Sequence, residues 1–347
     1  MQSQQDFLCQ LKMKNKSVFI TGGAGYVGSA LVPELLNSNF KVTVYDIMYF
    51  GKEFLPKNNP NLKIIDGDIR DTEKLEKSCK GHEYFVHLAC ISNDASFELD
   101  EQLSKSINLD SFEPLVIAAK KSGIKRFIYA STSSVYGVSD KPNVTEDHPL
   151  VPLTLYNKYK GMCEPLLLKH TDSNFEGVIF RPATVCGYAP RLRLDLSVNI
   201  LTNHAVCKNK IVVFGGDQLR PNLHVLDYCD VVKLLLSAPR DKISNQIFNV
   251  GFQNKSISQI AEIVKYVVEK EFSLNKPIQI EKQKSNDNRS YHINSEKIFK
   301  VLGFKAKRTI EDAISGLCKN FKNDIIKKSF DNDIYYNVKR LKNLKAQ

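Results

Sequence analysis

The sequence predicts an α/β chain: a doubly wound parallel sheet followed by a smaller C-terminal α/β domain. Short apolar runs alternate with longer helix-like stretches through the first half. A glycine-rich segment interrupts the first alternation, and the regular pattern fades near Tyr188. Strands separated by helices form crossover units whose sheet is covered on both faces.

The predicted strands are Ser17–Ile20, Lys41–Tyr45, Leu62–Ile65, Tyr84–Leu88, Arg126–Ala130 and Gly177–Arg181. Between the fourth and fifth of these, Asp110–Lys121 carries Phe112, Leu115, Val116, Ala118 and Ala119 at helical spacing, with Gly123 as a stop. Beyond Tyr188 come a helix over Leu196–Val206, a strand over Lys210–Phe214 and an amphipathic helix over Ile257–Glu271. Asn249-Val250-Gly251 reads as a return to the sheet. This gives an extension (1–16), a first domain (17–187, rejoined by about 225–250), a second domain (188–320) and a tail (321–347), the two ends being read as appendages.

Composition narrows the class. The chain has 347 residues, 42% hydrophobic and 25% charged, as a globular protein does. No apolar run approaches the roughly 18 residues of a membrane span, and the first residues, Met1-Gln2-Ser3-Gln4-Gln5-Asp6, lack a secretory pattern. The eight cysteines stand singly, without metal-ligand spacing, as small hydrophobes of a reducing compartment do. A cytoplasmic protein without a metal site is expected. The net charge of +11 is dispersed among acids, which favours an anionic small substrate over nucleic acid.

The first strand leads into Thr21-Gly22-Gly23-Ala24-Gly25-Tyr26-Val27-Gly28. Glycines three apart at a strand-to-helix turn make a phosphate cradle. Gly22 turns the chain, Gly25 lets backbone approach a pyrophosphate, and Gly28 lets helix pack on strand. The helix N-terminus adds unpaired N–H groups. Asp46 ends the second strand, placed to bind the adenosine ribose hydroxyls and to repel a 2′-phosphate. The pattern predicts a Rossmann-type domain that binds NAD.

The predicted chemistry rests on two segments. Ala130-Ser131-Thr132-Ser133-Ser134-Val135-Tyr136 puts hydroxyls at the carboxyl edge of the sheet. Tyr156 and Lys160 lie four apart, on one helix face. A nearby ammonium favours phenolate, so Lys160 is expected to lower the Tyr156 pKa and make it a proton acceptor for a substrate hydroxyl. Thr132 would hold the same oxygen. Two other YxxxK spacings, Tyr266/Lys270 and Tyr335/Lys339, read as solvated. Pro165 predicts a kink in the Tyr156 helix.

The GxxGxxG turn, Asp46, Gly67-Asp68-Ile69, His87-Leu88-Ala89, Asn108, the STSSVYG run, Tyr156/Lys160 and Arg181-Pro182-Ala183 occur in one order. That order resembles the nucleotide-sugar epimerases and dehydratases of the extended short-chain dehydrogenase/reductase family. The resemblance covers residues 17–320. It implies that Asp68 and Ile69 bind adenine, that Leu88 and Ala89 line the cofactor, and that Lys160 also binds nicotinamide ribose. Gly22, Gly25, Tyr26, Val27, Gly28, Asp46, Asn108 and Ala183 complete the implied cofactor set. For a nucleotide-diphosphate sugar it implies Ser131, Thr132, Thr184, Asn199, Arg220 and Arg289. It also implies a homodimer, paired through Asp110–Lys121 and the Tyr156 helix.

Departures refine the expectation. Ser133 and Ser134 stand where dehydratases carry Asp-Glu, against 4,6-dehydration. Thr184 replaces a frequent Asn, and Asn294 a frequent acid. Ala183-Thr184-Val185 with Arg191 and Arg193 resembles a subgroup that includes GDP-heptose 4-dehydrogenases, in which the arginines would meet base or phosphates. The expected activity is 4-epimerisation through transient oxidation at C4. The alternatives are a C4 dehydrogenase or 4-ketoreductase with net redox change, and an inactive NAD-binding sensor or scaffold.

Overall fold

A computed structural model of the chain describes residues 16–139, 141, 143–284 and 290–346. Arg289 lies outside the described residues. Twelve strands are formed among them: β1 Ser17–Thr21, β2 Lys41–Asp46, β3 Leu62–Asp66, β4 Tyr84–His87, β5 Arg126–Ala130, β6 Glu176–Pro182, β7 Thr184–Cys186, β8 Lys210–Phe214, β9 Leu219–His224, β10 Gln246–Val250, β11 Gln253–Ser256 and β12 Gln279–Gln283.

Seven of them make a wholly parallel sheet in the order β10-β6-β5-β4-β1-β2-β3. The order reverses between β1 and β4, where Thr21 stands beside His87. A crevice opens at such a reversal because the connections leave toward opposite faces. Strand alternation feeds two cores. Val18 and Ile20 of β1 pack with the helices Tyr26–Asn37 and Val225–Ser237 on one face. Phe19 packs on the other face with the helices Thr72–Cys79, Phe112–Lys121 and Leu155–Leu168. The last of these runs through Pro165 as one helix.

Beyond β6 the strands are short. β11-β9-β7 form one sheet, and β12 pairs parallel with β8 in another. A third core, around Val264, Ile260 and Ile314, joins the helices Ser197–Lys208, Ile257–Phe272 and Ile310–Lys322. β10 returns to the main sheet beside β6.

The residues after 321 are not a loose appendage. Ile334, Tyr335 and Leu341 are buried. Leu194 N–H donates to the Tyr335 carbonyl at 2.9 Å, and Arg340 Nε donates to the Tyr49 carbonyl at 2.9 Å. Tyr335, read as solvated from its spacing, is therefore a core residue, whereas Tyr266 is 65% exposed. Among the described residues no helix is long and apolar enough to cross a membrane, and no group of His, Cys, Asp or Glu is disposed to hold a metal.

Candidate active site

A cavity of about 860 Å³ lies at the carboxyl edge of the main sheet. The glycine turn forms its floor. Gly22 has φ +77°, and a Cβ there would lie 2.5 Å from Ala89 N. A Cβ on Gly28 would lie 2.4 Å from the Gly23 carbonyl oxygen. Bare backbone at both positions lets the turn, the first helix and the loop after β4 meet at the sheet's reversal.

Asp46 fixes this turn. Its carboxylate accepts from Ala24 N–H and from Met48 N–H, each at 2.9 Å. Burial raises its pKa, against those two hydrogen bonds. Asp68 and Ile69 also line the cavity. The Asp68 carboxylate is gripped by Arg70 Nε at 2.9 and 3.0 Å; burial opposes ionisation, but this grip wins and holds the carboxyl below its ordinary range. Gly25, Tyr26, Val27, Leu88, Ala89 and Ala183 also line the cavity.

Two asparagines do something else. Asn108 does not line the cavity. It lies in the π-helical turn Ser106–Asp110, and its amide makes two 2.8 Å bonds with the Ile91 backbone, bracing the loop after β4. Asn199 is fully buried and also off the cavity. Its amide accepts from Gly187 N–H at 2.9 Å and donates to the Arg193 carbonyl at 2.8 Å and to Tyr26 Oη at 3.2 Å. Both amides are spent on the protein, so both serve as struts.

Thr132, Tyr156 and Lys160 all line the same cavity. Thr132 caps the turn Ser133–Tyr136, its hydroxyl accepting from Ser134 N–H at 3.2 Å. Ser131, also on the cavity edge, donates to Glu164 Oε1 at 2.6 Å. Glu164 in turn takes the buried Arg181 fork at 2.9 and 2.6 Å. This network anchors the strand end under Thr132. Ser133 and Ser134 face Tyr291 Oη, at 3.5 and 2.9 Å.

The tyrosine's electrostatics differ from the sequence expectation. Burial pushes the Tyr156 phenol well above its ordinary value, Cys90 and Asp94 add to the rise, and Arg193 opposes it. The Lys160 ammonium is engaged elsewhere: it donates to the Ala130 carbonyl at 2.5 Å and sits 4.5 Å from the centre of the Tyr129 ring. A buried phenolate needs more than one neighbouring cation already shared with a carbonyl.

The opposite wall carries Thr184, Arg191, Arg193, Asp195 and Arg220. Arg193 Nε donates to Asp195 Oδ1 at 2.8 Å and its Nη1 to Ser92 Oγ at 2.9 Å. Burial works to raise the Asp195 carboxyl, but Arg193 overcomes it and holds it low. Arg191 is 1% exposed and lies 3.6 Å from the centre of the Phe50 ring. Burial draws its pKa down to about 9. Arg191 Nε and Arg193 Nη2 are buried without a hydrogen-bond partner among the described residues. Asp195, Ser92, Phe50 and Asn337 were not singled out from sequence. No motif marks them: Ser92, Phe50 and Asn337 act through neighbours distant in the chain, and Asp195 holds Arg193 only two positions away.

Residues 18–251 match the model of the NAD dependent epimerase/dehydratase family. The chain belongs to that family. A dTDP-glucose 4,6-dehydratase of Actinoplanes sp. is 26% identical over 313 residues, 86% of this chain and 95% of that one. The UDP-glucose 4-epimerase of Bacillus subtilis is 26% identical over 324 residues, 85% and 94% of the two chains. Among solved structures, the UDP-N-acetylglucosamine 4-epimerase of Methanobrevibacter ruminantium superposes with a TM-score of 0.80 at 25% identity, covering 90% of this chain and all of that one. MoeE5, solved with UDP-glucose and NAD, gives 0.76 at 26% identity, covering 89% and 99%. Members of this family are enzymes, and the cofactor is NAD. The residues fit it: the bare glycine edge and Asp46 suit the dinucleotide's phosphates and ribose, and the unpartnered guanidinium atoms suit an anion.

Proposed function

We propose that the protein is a nucleotide-sugar 4-epimerase that oxidises C4 of a hexose or heptose transiently and reduces it again. The observation that carries this reading is the convergence of Thr132, Tyr156 and Lys160 on the cavity that the glycine turn and Asp46 floor. NAD, when bound, supplies the acceptor for the hydrogen leaving C4. Gly22, Gly25, Val27 and Asp46 would hold its diphosphate and adenosine ribose, and Lys160 its nicotinamide ribose. Tyr156 takes the C4 hydroxyl proton, and Thr132 donates to and orients the same oxygen. The proton returns from Tyr156 when the ketone is reduced on its other face. Arg193 opposes the burial penalty on the Tyr156 anion and so helps it accept that proton.

The serine pair at 133 and 134 supports epimerisation over dehydration, because neither hydroxyl supplies the carboxyl group that water elimination uses. A second reading is net C4 oxidation, favoured by Thr184, Arg191 and Arg193 lining the same cavity. Arg220 would bind the sugar nucleotide's diphosphate, as would Arg289. Two copies would pair through Phe112–Lys121 and Leu155–Leu168, where Met162 is 44% exposed.

The test is incubation with UDP-, GDP-, CDP- and dTDP-sugars without added oxidant, followed by chromatography and absorbance at the NADH band. Epimer without net NADH is expected. Stoichiometric NADH with a keto sugar would replace the first reading with the second.

A further inference from the structure

The last helix of the chain, Asn337–Leu344, reaches the cofactor cavity. Its first residue, Asn337, is 4% exposed and makes three bonds there. Its Oδ1 accepts from Arg191 Nη2 at 2.7 Å, its Nδ2 donates to Ser92 Oγ at 3.0 Å, and its backbone N–H donates to Asp195 Oδ2 at 3.0 Å. One residue thus touches a partner of each arginine or the arginine itself. Ser92 and Asp195 are the two groups that hold Arg193.

Arg191 sits on the cofactor side of the cavity rather than the sugar side. Its backbone N–H donates to Ser29 Oγ, on the helix that leaves the glycine turn, at 3.0 Å. Its guanidinium covers Phe50, in the loop that follows Asp46. Asp46 is among the charges acting on it. It therefore stands between the glycine turn and the ribose-binding loop, with Nε buried and unpartnered. A buried cationic N–H without an acceptor is costly, and an anion facing it removes that cost.

We propose that Arg191 meets the cofactor's pyrophosphate beside the glycine turn, and that Asn337 is the positioning residue that aims it. This rests on the NAD-dependent reading of the site. It moves Arg191 from the substrate set to the cofactor set, and it gives the end of the chain a role in keeping NAD bound between turnovers. The shared chemistry is a diphosphate, which the sugar nucleotide also carries, so the test must separate the two.

Wild type, Asn337→Ala, Asn337→Asp and Arg191→Gln are loaded with NADH and chased with excess NAD, and the fluorescence decay gives the release rate. UDP and GDP affinities are measured by calorimetry on the same proteins with NAD bound, and melting temperatures report folding. Loss of one charge-assisted bond predicts release about ten-fold faster in Asn337→Ala and at least as fast in Arg191→Gln. Asn337→Asp keeps an acceptor for Arg191 and should release at close to the wild-type rate, a rescue that a merely structural role would not give. Unchanged release in Arg191→Gln overturns the proposal, and so does a weakened UDP or GDP affinity at unchanged NADH release. If Asn337→Ala does not fold, Asn337→Asp and Arg191→Gln carry the decision. If wild type itself holds no NADH, the cofactor reading of the cavity fails, and not the arrangement of Asn337 alone.

Discussion

The two walls of the cavity are built differently. On the sheet wall, positions are set by backbone: Gly22 and Gly28 pack against peptide groups, Asp46 is held by two N–H donors, and Thr132 caps its own turn. On the opposite wall, positions are set by side chains holding side chains: Arg193 by Asp195 and Ser92, Arg191 by Asn337 and Phe50. Backbone-set groups cost nothing to reorganise at the moment of reaction. Among the described residues, two arginines of the opposite wall retain buried donors, Arg191 Nε and Arg193 Nη2, that an anion could satisfy. The sheet wall should therefore govern turnover and seat the cofactor, whereas Arg191 of the opposite wall should affect retention without entering turnover.

The sharpest division comes from Tyr156→Phe. Removing the proton-transfer group should lower kcat by roughly 10³-fold, within the usual range for a general base, while NADH binding stays near wild type. A variant of Arg191 with an equal loss in kcat at saturating NAD would break the comparison. Next in size is Gly28→Ala. Its Cβ would lie 2.4 and 2.6 Å from the Gly23 and Gly22 carbonyl oxygens, so the turn itself must move. Overpacking of this kind costs about 1–3 kcal/mol, so NADH titration should show affinity reduced roughly 10- to 100-fold, with a lower melting temperature.

The smallest effect is a pH dependence under the sheet wall. His87, at the end of β4, is buried and bonded to Thr21 Oγ1 at 2.7 Å, and burial pushes its pKa down to about 3 from 6.5. Between those values the unfolded chain binds a proton that the folded chain does not. Stability is therefore full above about pH 6.5 and falls as pH drops, by about 1.4 kcal/mol per unit. His87→Gln should flatten the fall of melting temperature between pH 6.5 and 5. A slope equal to wild type would assign the acid sensitivity to other groups.

The sheet wall was legible in the sequence because its signals are local. A strand, three glycines and an acid at a strand end occupy one stretch, and Tyr156 and Lys160 share one helix. The other wall was not. β7, β9, β11 and β12 are three to six residues long; β7, β11 and β12 are largely half-exposed or exposed and β9 ends in a continuous buried run, so period-two alternation is weak there. Asn108 and Asn199 fit family positions, but a sequence shows an amide without showing what it bonds. The tail misled because Tyr335-Tyr336-Asn337 is polar on its face. Ile334 and Leu341 are buried from two separate elements, a turn over Asp333–Tyr335 and the helix Asn337–Leu344, so no single period marks them. The expected Tyr156 shift failed for a related reason: spacing places Lys160 on the right face, but does not show the Ala130 carbonyl that accepts a hydrogen bond from it.

Asn337 meets Ser92 across 245 positions of chain, and Arg191 across 146. Synthesis runs from the N-terminus, and early segments fold while later ones are still being made. The nucleotide-binding half can therefore form its sheet first, while Arg191 and Ser92 lack their Asn337 partner until the helix Asn337–Leu344 has been made. Contacts of such long sequence separation close their loops late in folding, so this corner of the cavity is set after the sheet that faces it.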